Sequence, residues 1–171
     1  MDGLERLRDE YRARSSASVK SKRGLLMQLE GIRDPRVVPF LLTVFKDRDE
    51  NEQVRIYVLK HLLNGGGPLL AGDRQPVANA FAHLLDDRST VDLRLESALA
   101  LGEFTQIVGV LSRLAAICLA EDESIDLRYA AFTLLERAGP TAECIALLRQ
   151  IASDETLGSA VHSVLSAWHV Q

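Results

Sequence analysis

The chain has 171 residues, 47% of them apolar and only 5% aromatic, with a formal net charge of -4. That is enough apolar material for a substantial core, and a composition rich in Ala and Leu suits closely packed helices better than sheets. The charge is divided: residues 1–24 hold seven Lys/Arg and four Asp/Glu, whereas residues 25–171 hold 13 and 20, an acidic body that argues against general nucleic-acid binding.

No apolar run approaches the roughly 20 residues needed to span a membrane. The opening Met-Asp-Gly-Leu-Glu-Arg has no apolar signal core, so export is not indicated and a reducing cytoplasm is expected. Cys118 and Cys144 sit among Ala, Ile and Leu and read as small buried hydrophobes rather than as a disulfide or metal pair.

In chain order, residues 2–16 predict a helix with the narrow apolar stripe Leu4, Leu7 and Tyr11, so that residues 1–17 suit an end cap with one wet side. A detachable basic arm is the alternative. Ser18 opens a second helix through Glu30, burying Leu25, Leu26 and Leu29. Asp34-Pro35 starts a third helix, to about Lys46, in which Pro39 adds a mild bend rather than a break. A fourth covers about 52–63. Asn64-Gly-Gly-Gly-Pro-Leu-Leu-Ala-Gly-Asp73 follows as a connection; it lacks the Lys-Ser/Thr end and the preceding strand of a phosphate loop. The remaining helices are expected at about 74–85, 91–102, 107–120, 125–138, 141–152 and 157–168. Leu95, Leu99, Leu134 and Leu135 are expected to be buried, and Trp168 to close the last core layer.

Arg55, Arg94 and Arg128 follow acidic turns at intervals of 39 and 34 residues, and the corresponding Ala160 comes 32 later. Such a period holds two short helices and their turns, a unit stable only when stacked. The fold expected is all-α: a right-handed α-α superhelix of about five helical hairpins, forming one domain over 1–171.

Asp34-Pro-Arg-Val-Val-Pro39, the turn acids before Val54-Arg55, Leu93-Arg94 and Leu127-Arg128, and the Ala/Leu rows after each Arg resemble the HEAT-repeat family. The likeness is particularly to the short HEAT-like repeats of bilin-lyase proteins and runs from about 18 to 169. It implies a structural ladder of turn acids and second-helix arginines on Asp49/Arg55, Asp87/Arg94 and Asp122/Arg128. The family pattern speaks for fold and only weakly for function, since it includes scaffolds, transport adaptors, bilin lyases and a class of DNA glycosylase.

Second helices usually line the inner surface of such a solenoid. Counting each ladder Arg as zero, offsets +2, +6 and +9 fall within about 60° on a helix. The polar residues so placed are Tyr57, His61, Asn64, Glu96, Glu103, Arg137, His162 and His169. This mixed surface suits another protein or peptide better than a phosphate backbone. His162 and His169 have no acidic residue between them to complete a zinc site. Glu96 and Glu103 lie roughly 10 Å apart along one helix, with no nucleophile nearby. The reading is a non-catalytic interaction module or adaptor with no cofactor and no metal; the alternatives are a bilin-lyase-like accessory enzyme or a HEAT-like DNA glycosylase.

Overall fold

The computed structural model describes residues 2–64, 71–88 and 90–170. Among these residues the chain forms ten α-helices and no strand. By their contacts they divide into two compact units, Met1–Glu96 and Ser97–Gln171. The glycine-rich connection expected at 64–73 lies largely outside the described residues. Among the described residues no helix is long and apolar enough to cross a membrane.

The first unit contains α1 (Gly3–Arg12), α2 (Val19–Glu30), α3 (Val37–Lys46), α4 (Glu52–Asn64), α5 (Ala71–Leu84) and the start of α6 (Val91–Leu101). A capping box starts α1: Glu5 N–H donates to Asp2 Oδ1 at 2.8 Å, and Asp2 N–H reaches back to Glu5 Oε2 at 3.3 Å. Its buried stripe is the expected Leu4, Leu7 and Tyr11. Helix α1 packs on α2, and α3 on α4; α2 also meets α4, and α3 meets α5. First helices therefore lie against first helices and second helices against second helices. Edge-to-face contacts of Tyr11 with Phe40 and of Phe45 with Phe81, at 5.6 and 5.3 Å between ring centroids, fill the layer of first helices.

Helix α3 starts at Val37 with Arg36 as its cap residue, later than the Asp34-Pro35 signal indicates. The Asp34 side chain is engaged elsewhere: its carboxylate accepts Arg36 N–H at 2.8 Å and the Arg36 guanidinium at 2.7 Å, and the same guanidinium reaches Asp2 at 2.7 Å. The Asp34 turn thus ties the start of α1 to the start of α3. Pro39, third in α3, lies in the first turn, where a missing donor costs little.

The second unit holds the end of α6, a 3-10 turn at Gly102–Phe104, α7 (Val110–Leu119), α8 (Ile125–Ala138), α9 (Ala142–Ile151) and α10 (Gly158–Ala167). Helix α7 packs on α8 and α9, and α9 on α8 and α10. Ser124 and Thr141 cap α8 and α9 through bonds to Leu127 N–H and Cys144 N–H. Helix α7 begins three residues later than its apolar spacing predicts, because Gly109 adopts φ 91 as the cap residue; Val108 before it is 94% exposed.

Leu134 and Leu135 are buried as expected, but Leu99 is 46% exposed. The buried side of α6 runs through Leu93, Arg94, Ser97, Ala98 and Leu101, and Leu99 points about 100° away from Ala98. Trp168 is only partly buried, as the cap residue of α10. Cys118 and Cys144 are free and buried. Burial raises their thiols to about 12 and about 11, and each donates to a carbonyl, of Arg128 and Leu135 respectively.

The three repeated arginines share one geometry. Each is the fourth residue of its helix and each is buried. Nε of Arg55, Arg94 and Arg128 donates to the carbonyls of Phe45, Leu85 and Cys118 at 2.8, 2.9 and 2.9 Å. Each arginine therefore satisfies an otherwise orphaned carbonyl at the end of the preceding helix and places its charge where the helix dipole favours it. The carboxylate that meets Arg128 comes from the following turn: Nη2 lies 2.5 Å from Asp154 Oδ2. Asp49 is exposed, and among the carboxylates Asp87 acts most strongly on the Arg55 charge, followed by Asp47 and Glu52.

Lys22 extends this series. It is the fourth residue of α2, buried, and its Nζ donates to Glu50 Oε2 at 2.6 Å. Tyr11 Oη donates to the same oxygen at 2.6 Å, and Asn51 N–H to the other at 2.8 Å. Burial works against the Glu50 charge, but these bonds more than offset it and hold the carboxyl below its ordinary value. In α10 the fourth residue is Val161, fully buried, and the series ends.

Candidate functional site

Of the residues expected on the second-helix surface, the first unit brings Tyr57 and His61 together around one carboxylate. They are one turn apart on α4, and α2 packs beside it with Glu30 at its C-terminal end. Tyr57 Oη donates to Glu30 Oε1 at 2.5 Å, and His61 Nδ1 lies 3.3 Å from the same oxygen. The Arg23 guanidinium sits 5.0 Å from the centroid of the Tyr57 ring. Met27 is 61% exposed and shares a face of α2 with Arg23 and Glu30, at spacings of four and three residues.

The electrostatics fix the donors. Burial, the hydrogen bond to Glu30 and the Glu30 charge push the Tyr57 phenol up to about 12, with Arg23 pulling the other way. The phenol is a protonated donor at neutral pH. Burial lowers the His61 pKa below 6.5 despite the opposing charge of Glu30, so the imidazole is neutral there. The result is a surface with one exposed thioether, an aromatic ring held at its hydroxyl and covered by a guanidinium, and a carboxylate shared by two residues.

Asn64 ends α4 and is exposed. Glu96, on α6, is drawn toward α4 by Lys60, whose Nζ is 3.7 Å from its Oε1. In the second unit Glu103 lies in the 3-10 turn after α6, and Arg137 in the last turn of α8, both exposed. His162 is exposed on α10, but His169 lies beyond the helix end with φ 57, so the helical spacing that would put both on one face does not apply. Among the described residues no group of three or more His, Cys, Asp or Glu is arranged to hold a metal ion.

Glu30, Arg23 and Met27 were not among the residues read from the repeat, because they belong to α2, which carries Lys22 where α4, α6 and α8 carry Arg. Lys22 precedes Arg55 by 33 positions, which is the signal that would have placed α2 in the series. No protein-family model matches the chain, and no curated protein matches it.

Proposed function

We propose that the chain is a non-catalytic interaction module that binds another protein through the second-helix surface of its first unit, centred on Met27, Tyr57 and His61. The observation that carries this reading is the prearranged cluster of Tyr57, His61, Glu30 and Arg23 beside an exposed methionine. Aromatic, Arg and Met side chains are enriched in protein interfaces, and a ring fixed before binding loses little conformational freedom on contact. Also proposed is the HEAT-like arrangement, with the hairpins stacked in one domain as a right-handed superhelix and the protein working in the reducing cytoplasm. The repeated basic residue at the fourth position of α2, α4, α6 and α8 supports the repeat.

The test is crosslinking and affinity capture from the native cell with wild type beside a Met27→Glu/Tyr57→Ala/His61→Ala variant, with helicity and thermal unfolding matched. A partner lost from the variant and recovered by purified wild type supports the surface. Equal retention of every partner by the two proteins rejects it. Selective binding of a tetrapyrrole or of damaged DNA, with turnover, would replace the adaptor reading with the corresponding enzymatic one.

A further inference from the structure

Arg55 and Arg128 occupy the same place in their hairpins but differ on the side of the guanidinium that faces the following turn. Asp154, third residue past α9, meets Arg128 Nη2 at 2.5 Å. Its counterpart is Asp87, third residue past α5, and the Asp87 carboxylate lies 3.4 Å from Arg48 Nε. Arg55 makes no ion pair among the described residues; its one hydrogen bond is from Nε to Phe45 O. The residue is 2% exposed. Burial is the largest influence on it and lowers its pKa against the pull of Asp87, Asp47 and Glu52. A buried guanidinium without a directly bonded carboxylate is a costly arrangement.

That guanidinium borders a cavity of about 440 Å³ between α3 and α5, open to solvent. Its charged lining consists of Lys46, Arg48, Arg55 and Arg88 against Asp86 and Asp87, an excess of positive charge in an otherwise acidic body. The volume falls in the range of small-ligand pockets, and the planar fork of an arginine matches a carboxylate in particular.

We propose that this cavity binds a carboxylate carried by a partner polypeptide, which takes on Arg55 the position that Asp154 takes on Arg128. Leu84, at the α5 side of the cavity, borders the neighbouring part of the peptide. The carboxylate is either an acidic side chain or a chain terminus, since both present the same two oxygens. This site uses different residues from the Met27–Tyr57–His61 surface, so either can fail alone.

The test is an NMR titration of the full chain, following the Arg55 Nε–H and His83 ring resonances. Three capped tripeptides serve as probes: one with a single aspartate and an amidated end, the same peptide with asparagine, and an apolar one with a free α-carboxylate. Saturable shifts with a Kd at or below roughly 1 mM are expected from at least one carboxylate peptide and not from the asparagine peptide. The carboxylate peptide that binds identifies the source as side chain or terminus. An Arg48→Gln/Arg88→Gln variant, which alters exposed side chains and is compared with wild type at matched helicity and unfolding midpoint, should weaken binding about tenfold. The proposal is overturned if neither carboxylate peptide shifts these resonances, if the asparagine peptide shifts them equally, or if the rim variant binds as tightly as wild type.

Discussion

Lys22 and Glu50 are 28 residues apart in the chain and 2.6 Å apart in the fold, with side chains 7% and 3% exposed. The pair joins the first hairpin to the turn of the second. Tyr11 completes it, donating to the same carboxylate oxygen from α1 while its ring lies 4.7 Å below the Lys22 ammonium.

Removing one member of that cluster should be costly. Glu50→Ala leaves a buried ammonium and a buried phenol without their acceptor, and is expected to lower stability by about 3–5 kcal/mol. The triple variant Tyr11→Phe/Lys22→Met/Glu50→Leu, which removes both charges and the hydroxyl that shared the carboxylate, should recover most of that loss. Urea denaturation of the two variants measures both quantities; a midpoint for Glu50→Ala equal to wild type would contradict the coupling.

Arg128→Ala should destabilise by roughly 2–4 kcal/mol, because it uncovers the Cys118 carbonyl and leaves Asp154 without its partner. Arg94→Ala, which uncovers the Leu85 carbonyl, should cost about 1–3 kcal/mol. Arg137→Ala, on the exposed last turn of α8, should change stability by less than about 0.5 kcal/mol. If all three variants unfold at the same denaturant concentration, the carbonyl-capping role is wrong.

The second-helix surface should make stability pH-dependent near neutrality. The folded pKa of His61 is depressed below 6.5, so between the folded and unfolded values the unfolded chain binds more protons. Stability is then full above the unfolded value and declines as pH falls from about 6.5 toward the folded value. Unfolding midpoints at about pH 7.5 and 5.5 should drop in wild type and drop less in His61→Gln; identical slopes would remove His61 as the cause. A second decline belongs to Glu50 and Asp154. Their folded values are held below 4.5 and 3.8, so their contribution is present above those values and lost as pH falls through the folded ones.

Gly158, first residue of α10, approaches the end of α9 closely: a Cβ there would lie 2.6 Å from the Ala152 carbonyl oxygen. Backbone cannot yield as a side chain can, so Gly158→Ala should cost about 1–3 kcal/mol despite the better helix propensity of alanine. Gly24→Ala, in the middle of α2 with nothing near the added methyl, should instead stabilise by about 0.5–1 kcal/mol. Thermal unfolding of the pair checks the sign of each; a more stable Gly158→Ala variant would show that the α9–α10 turn opens freely.

Much of the helical framework was legible because its causes act over a few residues. The spacing of Leu4, Leu7 and Tyr11 and the recurrence of Arg55, Arg94 and Arg128 need no knowledge of neighbouring hairpins. Even so, Asp34-Pro35 pointed to an earlier start for α3 than the chain uses, because the Asp34 side chain is held by Arg36. The leucines of α6 read alike, yet only packing separates buried Leu93 and Leu101 from exposed Leu99.

The sequence by itself therefore determined an all-helical chain with a basic residue at a fixed place in alternate helices, since period and capping are local properties of the backbone. Tertiary structure decided which acid each base meets. Lys22 finds Glu50 and Arg128 finds Asp154, each across more than 25 residues, while Arg55 faces a cavity. It also decided that Tyr57 and His61 share Glu30. These partnerships depend on where one hairpin is set down on the next, and a shift of a few ångströms, within the reach of an arginine or lysine side chain, exchanges one carboxylate for another.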